Sequence, residues 1–181
     1  MIEPWIPLNT LPASGYTLTV DDPAVWSDPM GEFGLAGTVH TPLKAELFLL
    51  PQEGGCFVRG HMTGEVSLPC DRCAEDARIV LDHHFETFEP VPALHEQEDE
   101  DLDTEWDERV MRSGDNGPEI NVAALIWEEF SLALPVHPVC RADCLGLCSS
   151  CGKNLNDGPC GCGHDEGDPR LAALRGLTIK K

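Results

Sequence analysis

A chain of 181 residues with 41% hydrophobic and 24% charged residues has the length and composition of one soluble globular domain, or of one domain with a tethered module. Its longest apolar runs, Leu47 to Leu50 and Ala123 to Trp127, fall far short of the roughly 20 residues that cross a bilayer, so no membrane span is expected. Thirty-two acidic against twelve basic residues give a formal charge of −20, which excludes sequence-blind phosphate binding through counterion release and makes any nucleic-acid role local or indirect.

Met1 to Leu11 contains Glu3, Pro4 and Pro7 and lacks the basic start of a secretory leader, so a cytoplasmic protein is expected. Tyr16 to Val20, Leu35 to His40 and Ala45 to Leu50 read as short strands bounded by Asp, Pro and Gly. Two longer runs alternate at period two: Phe57 to Leu68 places Val58, Met62, Val66 and Leu68 on one face, and Arg78 to Phe88 does the same with Ile79, Leu81, His83 and Phe85. The segment between them puts Cys70 and Cys73 at the turn of a β-hairpin. His95 to Glu108 is a block of like charge that repels itself and stays extended, and Arg112 to Pro118 continues it as linker. Asn121 caps a predicted helix with Ala123, Ile126, Trp127, Phe130 and Leu134 on its packed face and Pro135 as its stop. Asp168 and Pro169 open a short amphipathic helix through Leu171, Leu174 and Leu177.

The predicted fold is α+β. Residues 1–92 form a mainly antiparallel sheet or small barrel carrying the CxxC hairpin, 93–118 an acidic flexible linker, 119–136 a helix packed on the sheet, and 137–181 a cysteine-rich zinc-binding tail with a terminal helix. The charge is uneven along this plan: Glu86 to Glu129 holds fifteen acidic residues against Arg109 and Arg112, whereas the tail is nearly neutral. Positive charge available to RNA therefore lies at Arg141, Lys153, Arg170, Arg175, Lys180 and Lys181.

Nine cysteines in a reducing compartment point away from disulfides. Six of them, Cys140, Cys144, Cys148, Cys151, Cys160 and Cys162, crowd into one short segment, at spacings that let loops converge on a tetrahedral zinc ion. The expected ligands are Cys140, Cys144, Cys148 and Cys151, with Cys160 and Cys162 as alternates able to replace the first pair. Four thiolates close the coordination shell, so the zinc is structural, and a tail too small and polar to bury a core takes much of its folding free energy from the metal. Gly152 after Cys148-Ser149-Ser150-Cys151 has the form of a zinc knuckle, while the pair Cys70 and Cys73 sits in a different context. That pair is half of a metal site completed by other cysteines, a redox dithiol, or a hairpin turn that tolerates two thiols.

Enzyme signatures are missing. No Gly-x4-Gly-Lys-Ser/Thr loop or His-Glu-x-x-His helix occurs, and the deaminase pattern fails because neither His40 nor His61, upstream of Cys70, begins a His-x-Glu. His83 and His84 are neighbours on a strand and point to opposite faces, which disfavours one metal for both. Neither catalysis nor a small-molecule substrate is expected.

Four motifs in order, Cys70-Asp71-Arg72-Cys73, Leu132-Ala133-Leu134-Pro135, the run from Cys144-Leu145-Gly146-Leu147-Cys148 to Asn154-Leu155-Asn156, and Asp168-Pro169-Arg170-Leu171, resemble those of the YceD family of large ribosomal RNA subunit accumulation proteins. The resemblance spans Phe57 to Leu177. It implies a non-catalytic role in ribosome biogenesis, with the large-subunit rRNA precursor, ribosomal assembly proteins, or both as partners. By the same resemblance Cys70, Arg72, Cys73, Asp168, Pro169 and Arg170 are the positions of interest, and Arg72 and Arg170 the candidates for RNA or protein contact. The acidic balance favours an assembly adaptor over a stand-alone RNA binder. The competing readings are a zinc-stabilised protein-interaction module acting outside ribosome assembly and, further off, a thiol redox protein.

Overall fold

A computed structural model describes residues 5–92 and 110–162. The acidic run from His95 to Glu108, His164, Arg170 and the terminal helix expected from Asp168 to Leu177 lie outside the described residues.

The fold is α+β, built on antiparallel sheets. Strands β2 (Tyr16–Val20), β3 (Thr38–Gln52), β4 (Gly55–Pro69) and β5 (Asp76–Pro90) pair in sequence order into one four-stranded sheet. β1 (Trp5–Pro7), β6 (Met111–Gly114) and β7 (Gly117–Asn121) make a second, three-stranded sheet in the order β1-β7-β6. Two open sheets thus take the place of a single sheet or closed barrel. The linker expected to continue through Arg112 to Pro118 is instead the β6–β7 hairpin, whose Arg112 donates to Glu119 at 2.8 Å and lies 4.0 Å over the Trp5 ring.

Period-two alternation decides which face of the large sheet is buried. Leu43, Ala45, Leu47 and Leu49 of β3, Val58, Met62 and Val66 of β4, and Leu81 and Phe85 of β5 all face one core. Gly60 is required there, because a Cβ would stand 2.2 Å from the Phe85 ring that lies over it from the paired strand. The strands expected at Leu35 to His40 and Ala45 to Leu50 are one strand, β3. It accommodates Pro42 by breaking register between Val39 and Thr41 and again between Thr41 and Lys44, a bulge that spares the ladder the amide proline lacks.

Two helices close the core. α1 (Ala24–Glu32) starts where the Asp22 carboxylate accepts from the Ala24 amide and buries Trp26 and Met30, one turn apart. α2 (Val122–Ala133) is capped as expected, the Asn121 side chain accepting from the Ala124 amide at 3.1 Å. Its buried stripe is Val122, Leu125, Ile126 and Phe130, rotated slightly from the expected one, and Trp26 meets Phe130 edge-on at 5.5 Å. Each fully buried large side chain contributes roughly 1.5–3 kcal/mol of transfer free energy. Among the described residues no helix is long and apolar enough to cross a membrane.

Beyond α2 the chain runs in loops, with one 3-10 turn at Leu155–Asp157 and a single bridge between Leu147 and Asn154. Between 135 and 162 only Cys144 and Gly146 are buried. Leu145, Leu147 and Val136 are exposed. This segment has no aliphatic core, and a second small cluster made of Cys70, Cys73, Ala77 and Cys144, with Cys140 against it, stands in its place.

Candidate metal centres

The β4–β5 hairpin closes with Pro69 opposite Asp76, leaving Cys70 to Glu75 as the turn. Within it the Cys70 amide donates to the Glu75 carbonyl, the Ala74 amide donates to the Cys70 carbonyl, and the Arg72 amide points at the Cys70 sulfur from 3.4 Å. The turn at Cys148 repeats this pattern: its amide donates to the Lys153 carbonyl and the Gly152 amide donates to the Cys148 carbonyl. In both, the residue after the second cysteine has positive φ, 60° at Ala74 and 72° at Gly152. The two CxxC pairs, read from sequence as different contexts, are the same knuckle.

Each knuckle presents two sulfurs, and a passing stretch of chain supplies two more. Cys70, Cys73, Cys140 and Cys144 form one quartet and Cys148, Cys151, Cys160 and Cys162 the other, the ligand atoms of each lying within 4.8 Å of one another. The quartet expected from spacing is therefore divided: Cys140 and Cys144 turn back to the hairpin, and the alternates Cys160 and Cys162 join Cys148 and Cys151. The reason lies between Cys144 and Cys148, where the Leu147 amide donates to the Arg72 carbonyl and a Cβ on Gly146 would stand 2.9 Å from that same oxygen. The chain is pinned to the hairpin there and passes from one centre to the next. Cys56, the ninth cysteine, is buried in the main core, which pushes its thiol up to about 11.

The donor sets fit a tetrahedral ion. Four sulfurs about 2.3 Å from a common centre stand about 3.8 Å apart. The structure has 3.9 Å for Cys70–Cys144, 3.6 Å for Cys73–Cys140 and 3.3 Å for Cys148–Cys160. Without a cation the thiols compete for ionisation. In the first quartet the Cys140 amide holds Cys70 down to about 6, while burial pushes Cys140 up to about 12. In the second the amides of Cys151 and Ser150 bring Cys148 down to about 6, and the adjacent Cys151 thiol pushes Cys162 up to about 12. A bound cation is what lets all four ionise together.

Asn156 belongs to the run from Cys144 to Asn156, where no spacing or residue pattern marks it as functional. It carries the link between the centres. Its Nδ2 donates to the Cys144 sulfur at 3.4 Å and to Asn154, lowering the Cys144 thiol, while its Oδ1 accepts from Arg141 and from the Leu145 amide. All four of its side-chain hydrogen-bonding positions are used. Arg72 is exposed, yet its Nη1 donates to the carbonyls of Cys144 at 3.0 Å and Ala142 at 3.4 Å, fastening the tail to the hairpin. Asp71 adds a contact to His137 at 2.9 Å.

This arrangement defines a β-sheet scaffold whose hairpin tip is joined to the tail through one four-cysteine cluster, with a second cluster folding the tail on itself, a class suited to holding chain segments together. The chain belongs to the YceD family, described as large ribosomal RNA subunit accumulation protein YceD, whose family model matches residues 58–178. It is similar to an uncharacterized protein of Mycobacterium tuberculosis (strain ATCC 25618 / H37Rv), 32% identical over 176 residues, covering 87% of this chain and 79% of that one. It is also similar to large ribosomal RNA subunit accumulation protein YCED homolog 1, chloroplastic, of Zea mays, at 26% identity over 155 residues, and to the protein of the same name in Arabidopsis thaliana, at 25% over 157 residues. The alignments cover 69% and 76% of this chain but 52% and 49% of the plant proteins, so the chain spans about half the length of those relatives. No solved structure gives a significant match.

Proposed function

We propose that this chain supports the accumulation of large-subunit ribosomal RNA in the cytoplasm without catalysing a reaction, as an assembly adaptor whose two four-cysteine centres hold structural zinc. The observation that carries this reading is the family match over two motifs that the fold brings into contact, the Cys70–Cys73 hairpin and the Cys140–Asn156 tail. Two closed thiolate shells leave no position for a substrate, which supports a structural role for the metal. Arg72, Arg141 and Lys153 surround the centres and supply a local basic face on a strongly acidic body. Such a surface suits docking between basic assembly proteins and precursor RNA, with the acidic remainder opposing indiscriminate RNA binding. Because Arg72 also fastens the tail, its guanidinium serves contact and architecture together.

The test is the ratio of large- to small-subunit ribosomal RNA in cells depleted of the protein, with and without a rescuing copy. A selective fall in large-subunit RNA, restored by wild type and not by an Arg72→Ala, Arg170→Ala variant that retains both metals, is expected. An unchanged ratio refutes the assignment.

A further inference from the structure

The open face of the four-stranded sheet carries a third group of ligating side chains, unconnected with the thiols. We propose that His61, Asp82 and His84 form a labile site for a divalent transition-metal ion of the zinc, nickel or copper(II) class. The β4–β5 register sets His61 directly opposite His84, and their rings are parallel within 8° with centroids 3.8 Å apart. Asp82 precedes His84 by two residues and so projects to the same side. Its Oδ1 lies 2.7 Å from His61 Nε2 and 3.8 Å from His84 Nε2, and the three ligand atoms fall within 4.8 Å of one another.

The surrounding charges single out Asp82. On the same face Lys44 pairs with Glu46 at 2.6 Å, Arg59 with Glu86 at 2.7 Å and Arg78 with Glu65 at 3.2 Å, so each of these three carboxylates has its cation. Asp82 has no lysine or arginine partner among the described residues; the two imidazoles are its partners. Two imidazole nitrogens and one carboxylate are a donor set matched to borderline metals and poorly matched to calcium or magnesium. The ligands ride on fifteen-residue paired strands, which fixes their separation before any ion arrives. Three donors leave the remaining positions to water or to an outside ligand, so exchange here is fast, unlike exchange at the closed thiolate shells. His83, the neighbour of His84, faces the other way and contacts Glu129 at 3.2 Å, which makes it an internal control.

The experiment uses untagged full-length protein with its thiolate centres loaded with zinc and quantified. Ni2+ is titrated at pH 7.5 by calorimetry and by NMR of the histidine side chains. One added Ni2+ per chain with micromolar affinity is expected, with early broadening confined to His61 and His84 and the zinc content unchanged. His61→Ala and His84→Ala each weaken Ni2+ by at least about tenfold, whereas His83→Ala leaves it intact. The proposal is overturned if no extra equivalent binds, if both alanine variants bind as wild type does, or if broadening falls first on other histidines. The NMR readout needs no substitution, so a variant that fails to fold leaves the test standing.

Discussion

The matching knuckles allow one perturbation to be made in both directions. Position four after the first cysteine has positive φ in each, but it is alanine in the hairpin turn and glycine in the tail. An L residue in the left-handed region costs roughly 1–2 kcal/mol. Replacing it with glycine recovers that strain and returns about 0.5–1 kcal/mol through the greater freedom of the unfolded chain. Ala74 is exposed, so Ala74→Gly loses little packing, and its net effect is a gain of about 0.5–1 kcal/mol. The hairpin turn is held by two long strands whether or not metal is bound, so this gain appears as global stability in urea unfolding. Gly152→Ala reverses the sign. Nothing lies within 4 Å of the added Cβ, which leaves backbone strain as the whole effect. The tail loop has no aliphatic core, so with its four cysteines on a metal ion most of its folding free energy would come from that ion, and the same magnitude is expected to weaken metal retention about two- to fivefold in chelator competition. Equal retention in Gly152→Ala, or a less stable Ala74→Gly, would refute the equivalence of the two turns.

Three further outcomes follow from the site. Cys144→Ser and Cys148→Ser each lower the bound metal from two equivalents to one by elemental analysis, but only Cys144→Ser releases the tail from the hairpin, read as new protease cleavage between 134 and 144. Asn156→Ala removes a donor to the Cys144 sulfur and leaves the Leu145 amide without its partner; a cost of about 1–3 kcal/mol is expected, seen as earlier loss of the first metal in a chelator titration. In chelator-treated protein the tail thiols, freed with their loop, alkylate first, whereas Cys56, buried in the main core and pushed up to about 11, reacts only after denaturation; mass spectrometry of timed samples gives the order.

The sequence discloses those parts of this fold whose signal is local. Val58, Met62 and Val66 alternate on a strand long enough to reveal its buried face, the CxxC falls between two such strands, and Asn121 marks a helix start that the structure keeps. Pro29 and Gly31 hide α1, because both residues read as punctuation although Trp26 and Met30 lie one turn apart on its buried side. Pro42 divides β3 on paper, whereas paired bulges absorb it in space. The small sheet is invisible for a different reason: β1 has three residues, and its partner β7 begins more than a hundred residues later. Distance along the chain also conceals the ligand sets. Spacing shows that six tail cysteines can gather around metal, but the pull of Arg72 on Leu147, which sends Cys144 to the hairpin, is a tertiary contact with no periodicity to announce it.

The two centres differ in reach, and reach sets an order of assembly. One draws all its ligands from Cys148 to Cys162, while the other joins Cys73 to Cys140 and Cys70 to Cys144, separations of 67 and 74 residues. Closing a 67-residue loop costs about 2 kcal/mol more in chain entropy than closing the nine-residue span from Cys151 to Cys160. The local centre can form on a nascent chain as soon as its last cysteine is free, whatever the state of the sheets. The distant one must wait until the hairpin is built and the chain has returned to it. With both quartets on metal, loss would be correspondingly unequal: emptying the local centre would loosen one short loop, whereas emptying the distant one would undo a tether across a span that includes β6, β7 and α2.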